Sequence, residues 1–160
     1  MPGRYKENAV VLLAADDPGD AVMIREAFEQ ALPSIRVHAV SGAQQAIDFV
    51  RRPGAGNPRP DLILLDLHLP LRSGLEVLAD LKGDDDFSSI PIAVLTASHD
   101  PHHEQRCYSL NANAYIIKPA DLDGFASMIH DIITWFGGLI SRPEPSLRFT
   151  RGWDYMTRRV

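Results

Sequence analysis

Two kinds of hydrophobic segment alternate along most of the chain. Short, mostly apolar runs at Ala9 to Ala15, Ile35 to Val40, Asp61 to Leu67, Ile90 to Thr96 and Ala114 to Ile117 predict strands. The stretch Leu62-Ile63-Leu64-Leu65 shows no alternation, which is the pattern of a central parallel strand covered by helices on both faces. Between these runs, apolar residues recur at helical spacing. Ile24, Phe28, Ala31 and Leu32 define a helix that begins after Gly19 or Asp20 and stops at Pro33. Ala46, Ile47 and Val50 define a second, capped by Ser41, and a third runs from about Gly74 to Lys82. Asp100-Pro101 opens a fourth, which closes at Asn111, a residue that tolerates the left-handed conformation. The segment Pro53 to Pro58 and the acidic run Asp84-Asp85-Asp86 read as solvated loops.

The last helix, from about Asp121, carries Leu122, Phe125, Ile129, Ile132, Ile133 and Phe136 on one face, with Met128, Trp135 and Leu139 extending it to one side. That stripe covers about 160°, wider than a helix lying on a sheet needs, so part of it is expected to meet another surface. Five strands alternating with five helices imply a doubly wound α/β sheet, in which functional groups collect at the carboxyl ends of the central strands. The domain is expected over residues 9–140, between a polar N-terminal tail (1–8) and an extension rich in arginine and aromatics (141–160).

Composition narrows the function classes. A 160-residue chain suffices for one hydrophobic core, and a net charge of -5 argues against a nucleic-acid surface as the main business. The lone Cys107 cannot form an intramolecular disulfide, the first residues lack the basic-then-apolar pattern of a secretory leader, and no apolar run reaches membrane-spanning length. The expected location is the cytoplasm.

Four polar residues follow four of the apolar runs: Asp16, Asp66, Thr96 and Lys118. In a parallel sheet they converge on one edge. Their chemistry suits phosphoryl transfer, with a carboxylate to attack phosphorus, carboxylates to hold a divalent cation, and a lysine and a hydroxyl to bind phosphoryl oxygens. Magnesium takes one or two protein carboxylates plus waters and phosphate oxygens, and Asp16 with Asp66 supply the carboxylates.

These motifs carry a resemblance. Val11-Leu12-Leu13 leading to Asp16-Asp17-Pro18, Leu64-Leu65-Asp66-Leu67-His68-Leu69-Pro70 with Gly74, Leu95-Thr96-Ala97, and Ala114-Tyr115-Ile116-Ile117-Lys118-Pro119 resemble the receiver domain of bacterial two-component response regulators, over roughly Val10 to Phe136. The resemblance implies a flavodoxin-like five-stranded sheet of order 2-1-3-4-5. It makes Asp66 the phosphoacceptor, Asp16 a direct ligand of Mg2+, and His68 a ligand through its backbone carbonyl. Thr96 becomes the switch hydroxyl, Lys118 the phosphoryl-binding cation, and Tyr115 the aromatic that turns inward when Thr96 moves; a half-exposed strand aromatic is the bland reading of Tyr115 and is compatible with that role. Output then runs through protein–protein contacts, with no turnover of external substrates and catalysis limited to the chain's own phosphorylation and dephosphorylation.

Within that family, Pro18-Gly19-Asp20, Leu69-Pro70 and the long last helix with Trp135-Phe136 are similar to small regulators paired with phytochrome-type kinases. The implied partners are a histidine kinase with a bilin photoreceptor and a second copy of the chain, meeting along Met128, Trp135 and Leu139.

The chain also departs from the pattern. Receivers usually place two acids at the end of the first strand, and here Ala15 stands at the first of them. Asp17 can restore a second carboxylate only by a shift of the loop, so weakened magnesium binding is expected. A phosphorylation-independent pseudo-receiver is the alternative that Ala15 raises. A phosphatase of the haloacid dehalogenase type would need a second acid where His68 stands. Arg142, Arg148, Arg151, Arg158 and Arg159 could touch nucleic acid, although scattered arginines more often form a solvated tail. His99, His102 and His103 could suggest a transition-metal site, but adjacent helical histidines diverge by about 100°.

Overall fold

The structure, a computed structural model, describes residues 8–54 and 56–141, with side chains described as far as Gly137. Strands β1 (Val10–Ala14), β2 (Arg36–Val40), β3 (Leu62–Asp66), β4 (Ile92–Thr96) and β5 (Ala114–Ile117) alternate with helices α1 (Pro18–Ala31), α2 (Ala43–Arg51), α3 (Gly74–Lys82), α4 (Pro101–Ser109) and α5 (Leu122–Ser141). All pairings are parallel and the order is β2-β1-β3-β4-β5, the flavodoxin-like arrangement expected.

Period-two geometry sends alternate strand residues to opposite faces. Val11, Leu13, Leu62 and Leu64 pack with Ile24 and Phe28 of α1 and with Phe125, Ile129, Ile132 and Phe136 of α5. Leu12, Ile63, Leu65 and Val94 pack on the other face with Ile47 and Val50 of α2, Val77 and Leu78 of α3, and Cys107 of α4. Every residue of β1, β3, β4 and β5 is therefore buried. Edge strand β2 is not, and its Arg36 and Ala39 face water.

Several local details differ from the sequence reading. The N-cap of α1 is Asp17, one position ahead of Pro18, and its Oδ1 accepts hydrogen bonds from the backbone N–H groups of Gly19 (2.8 Å) and Asp20 (3.4 Å). Helix α2 is capped by Gly42; Ser41 instead donates its backbone N–H and its hydroxyl to Oε1 of Gln45. The acidic run is not merely solvated, because Arg51 pairs with Asp84 at 2.8 Å as well as with Asp80. The guanidinium groups of Arg51 and Arg59 also lie 5.2 and 5.9 Å from the Phe87 ring centre, tying this turn to α2 and to the segment before β3. Asp100 caps α4 as expected, accepting from the His102 N–H at 2.9 Å, and Asn111 takes the left-handed conformation with φ 69°.

Helix α5 corrects two further expectations. Met128 is buried in the core shared with α1, so it offers no free surface to a second copy. The breadth of the apolar stripe has an internal cause: α1 lies beside α5 on the same sheet face, and α5 meets both. Trp135 is half-buried against the same cluster, and the side chain of Leu139 lies outside the described residues. Leu122 is 66% exposed, because the first turn packs through Gly124, where an added Cβ would stand 2.5 Å from Cβ of Pro119. The expected tails fall outside the described residues apart from Asn8 and Ser141. Among the described residues, no helix is long and apolar enough to cross a membrane.

Candidate functional site

Parallel pairing brings the carboxyl ends of β1, β3, β4 and β5 to one edge. Asp66, the last residue of β3, is 3% exposed. Its Oδ1 accepts from the His68 backbone N–H at 2.9 Å and its Oδ2 from Nζ of Lys118 at 2.5 Å. Lys118 follows β5, and its own N–H extends the ladder to the Thr96 carbonyl at 2.8 Å. Gly74 seats the start of α3 directly on this edge: a Cβ there would stand 2.3 Å from the Asp66 carbonyl oxygen, so a side chain is excluded.

Sequence reasoning missed Asp20. Its Oδ2 lies 2.9 Å from Lys118 Nζ, so the ammonium is shared between Asp66 and Asp20. Burial works against the charged lysine, yet the two carboxylates outweigh it and hold the Lys118 pKa above its ordinary value. Asp20 sits in the first turn of α1, where a negative charge is favoured by the helix dipole. The only signal for it in the sequence was that cap-and-turn context, which does not reveal a partner 98 residues away.

Thr96 is fully buried, and its Oγ1 accepts from the Ser98 backbone N–H at 3.1 Å. Tyr115 is 1% exposed, so the half-exposed reading is wrong. Its ring points into the core and its hydroxyl donates to the Ser98 carbonyl at 2.9 Å. Burial pushes the Tyr115 phenol above its ordinary pKa despite that hydrogen bond. Cys107 is buried in the same cluster, and desolvation pushes its thiol up to about 11.

The remaining candidates divide. Asp16 is exposed just past β1, and His68 is exposed just past Asp66. Asp17 is committed to capping α1 and does not turn inward as a second acid. Ala15 is buried and presents no side-chain oxygen. Among the described residues no three His, Cys, Asp or Glu side chains gather closely enough to hold a metal ion by themselves. A donor set of two carboxylates, Asp16 and Asp66, with the His68 carbonyl still fits a hard cation that completes its shell with water and phosphate oxygens. His103 makes a contact of a different kind, with its Nδ1 2.7 Å from Oγ of Ser98.

A buried strand-end aspartate, a lysine on its carboxylate and a buried threonine on the next strand are the arrangement that the motifs led us to expect. The sequence pattern of the response regulator receiver domain matches residues 11–130. The chain belongs to that family. This receiver is 32% identical over 138 residues to the probable methanogenesis regulatory protein FilR2 of Methanothrix harundinacea, covering 86% of this chain and 89% of that protein. It is 32% identical over 136 residues to the response regulator Rcp1 of Synechocystis, covering 84% and 92% of the two chains. The crystal structure of Rcp1 in a Mn2+-bound form superposes with a TM-score of 0.77, over 85% of this receiver and 99% of that chain. The phosphorylated cyanobacterial phytochrome response regulator RcpA superposes with a TM-score of 0.79 at 32% identity, over 86% and 99%. The receiver is thus a two-component signalling domain, similar along nearly its whole described length to the phytochrome response regulator RcpA.

Proposed function

We propose that this receiver accepts a phosphoryl group on Asp66 from a histidine kinase of phytochrome type and signals through protein contacts. The observation that carries the proposal is the Asp66 carboxylate, buried at the end of the central strand and paired with Lys118 at 2.5 Å. In the transfer, a carboxylate oxygen of Asp66 attacks phosphorus, the bond from phosphorus to the donor's imidazole nitrogen breaks, and an acyl phosphate forms. Lys118 then follows the negative charge from the carboxylate to a phosphoryl oxygen. Thr96 accepts from Ser98 in the structure, which leaves its hydroxyl proton to donate to another phosphoryl oxygen. A Mg2+ ion held by Asp16, Asp66 and the His68 carbonyl would offset the charge on the phosphoryl group.

Similarity to RcpA supports the phytochrome-type donor, and the Mn2+-bound form of Rcp1 supports a divalent cation at this edge. A second copy of the chain is the further proposed partner, meeting the Trp135 side of α5 and not Met128; sedimentation of Trp135→Ala beside the parent tests that contact. The phosphoacceptor itself is tested by intact mass after treatment with acetyl phosphate and magnesium. A labile phosphoryl adduct is expected on the parent and not on Asp66→Asn. No adduct on the parent, even at high magnesium, would overturn the proposal and leave a phosphorylation-independent receiver.

A further inference from the structure

Every second residue from Thr96 to the start of α4 repeats one hydrogen bond. Thr96 Oγ1 accepts from the Ser98 N–H at 3.1 Å, Ser98 Oγ from the Asp100 N–H at 3.2 Å, and Asp100 Oδ1 from the His102 N–H at 2.9 Å. Each is a local side-chain-to-backbone bond that fixes a turn, and together they run without a gap from the buried threonine to the cap of α4. Ser98 is the centre of the chain, because its carbonyl also receives the Tyr115 hydroxyl at 2.9 Å. One more group reaches it: Nδ1 of His103, on the first turn of α4, lies 2.7 Å from Ser98 Oγ. Since Oγ already accepts from Asp100, the Ser98 hydroxyl proton is satisfied when it is donated to Nδ1 of a neutral imidazole.

We propose that His103 is a positioning residue whose hydrogen bond to Ser98 latches α4 to the loop after β4 and thereby holds Thr96 and Tyr115 in the arrangement seen here. The proposal rests on the reading of Asp66 as phosphoacceptor, for which Thr96 is the partner hydroxyl, and adds the regulation of that site. Ser98 reaches Thr96 through its N–H, Tyr115 through its C=O and His103 through its hydroxyl, so displacing it moves all three. The latch favours an inward Tyr115 and a Thr96 whose proton is free. By thermodynamic reciprocity, whatever favours that arrangement also favours the phosphorylated site, and a phosphoryl group on Asp66 tightens the grip of His103 on Ser98. A change at the α4 surface that pulls His103 away then lowers the readiness of Asp66.

The test uses the full chain labelled with fluorotyrosine, with the Tyr115 resonance assigned by Tyr115→Phe. His103→Leu is expected to shift that resonance toward the solvent-exposed value and to slow phosphorylation by acetyl phosphate about threefold to tenfold, the ratio for loss of one hydrogen bond. His103→Asn retains an amide oxygen to accept from Ser98 and is expected to keep the parent resonance and a rate within about twofold. Ser98→Ala should reproduce the leucine variant. An unchanged Tyr115 resonance in both His103→Leu and Ser98→Ala would overturn the latch. So would an asparagine variant as impaired as the leucine one, which would make bulk and not the hydrogen bond the cause. The resonance is read without phosphate, so a parent that takes up no phosphoryl group would overturn the phosphoacceptor reading while leaving the latch separately decided.

Discussion

Lys118 and Asp66 meet through a 2.5 Å contact between ammonium and carboxylate, with both side chains largely shielded from water. Removing one partner strands the other charge. Lys118→Met is therefore expected to cost about 2–4 kcal/mol in urea denaturation at neutral pH. The sign with pH follows from the raised folded pKa of Lys118. The pair's contribution is complete below the ordinary lysine value of 10.5 and is lost as pH rises beyond it, so parent and variant should converge at strongly alkaline pH.

Asp20 supplies negative charge where Ala15 supplies none. With Asp16, Asp66 and Lys118 it leaves the edge with an excess of negative charge suited to a divalent cation. Asp20→Asn should weaken Mg2+ binding about threefold to tenfold in calorimetric titration. Ala15→Glu should strengthen it. Equal affinity in parent and Asp20→Asn would confine Asp20 to its pairing with Lys118.

Gly74 has no tolerance for a side chain, since the Asp66 carbonyl oxygen lies 2.3 Å from where its Cβ would be. Gly74→Ala is expected to destabilise the fold by about 1–3 kcal/mol through overpacking. Because the displaced atoms belong to Asp66 and Leu67, phosphorylation should slow as well, which separates this site from an ordinary core position.

Lys82, at the end of α3, donates to the carbonyls of Ser88 and Ile90 at 3.0 and 2.9 Å, and burial lowers its pKa to about 8. The unfolded chain then binds this proton more tightly than the folded one. Stability should rise as pH increases from about 8 toward 10.5, and Lys82→Met should lose that rise in denaturant titrations across the same window.

Much of the fold and of the site is legible in the sequence. Unbroken apolar runs at β1, β3 and β4 could only be buried strands, and the polar residues following them had to share an edge, which placed Asp66, Thr96 and Lys118 together. What periodicity does not contain is the identity of the opposing surface. It marked Met128 as lying off the sheet-facing stripe but could not show that α1 covers it. It placed Asp20 in a helix's first turn but could not show that Lys118 reaches across to it. It put the start of α1 after Gly19 or Asp20, whereas Asp17 is the cap because Pro18 already stands in the first turn. Ser98 is marked in the sequence only by standing two residues after Thr96; its four hydrogen bonds form only after β4, β5 and α4 are assembled.

Cys107 is the chain's sole thiol, and it is sealed on the buried face of α4 with its pKa pushed up to about 11. In the native state it is therefore nearly silent toward alkylating reagents, which react with the thiolate. That silence makes it a built-in clock. The rate at which a small thiol reagent modifies the unaltered protein measures how often α4 lifts from the sheet. The same silence leaves a cysteine introduced anywhere on the surface as the single point of attachment for a probe.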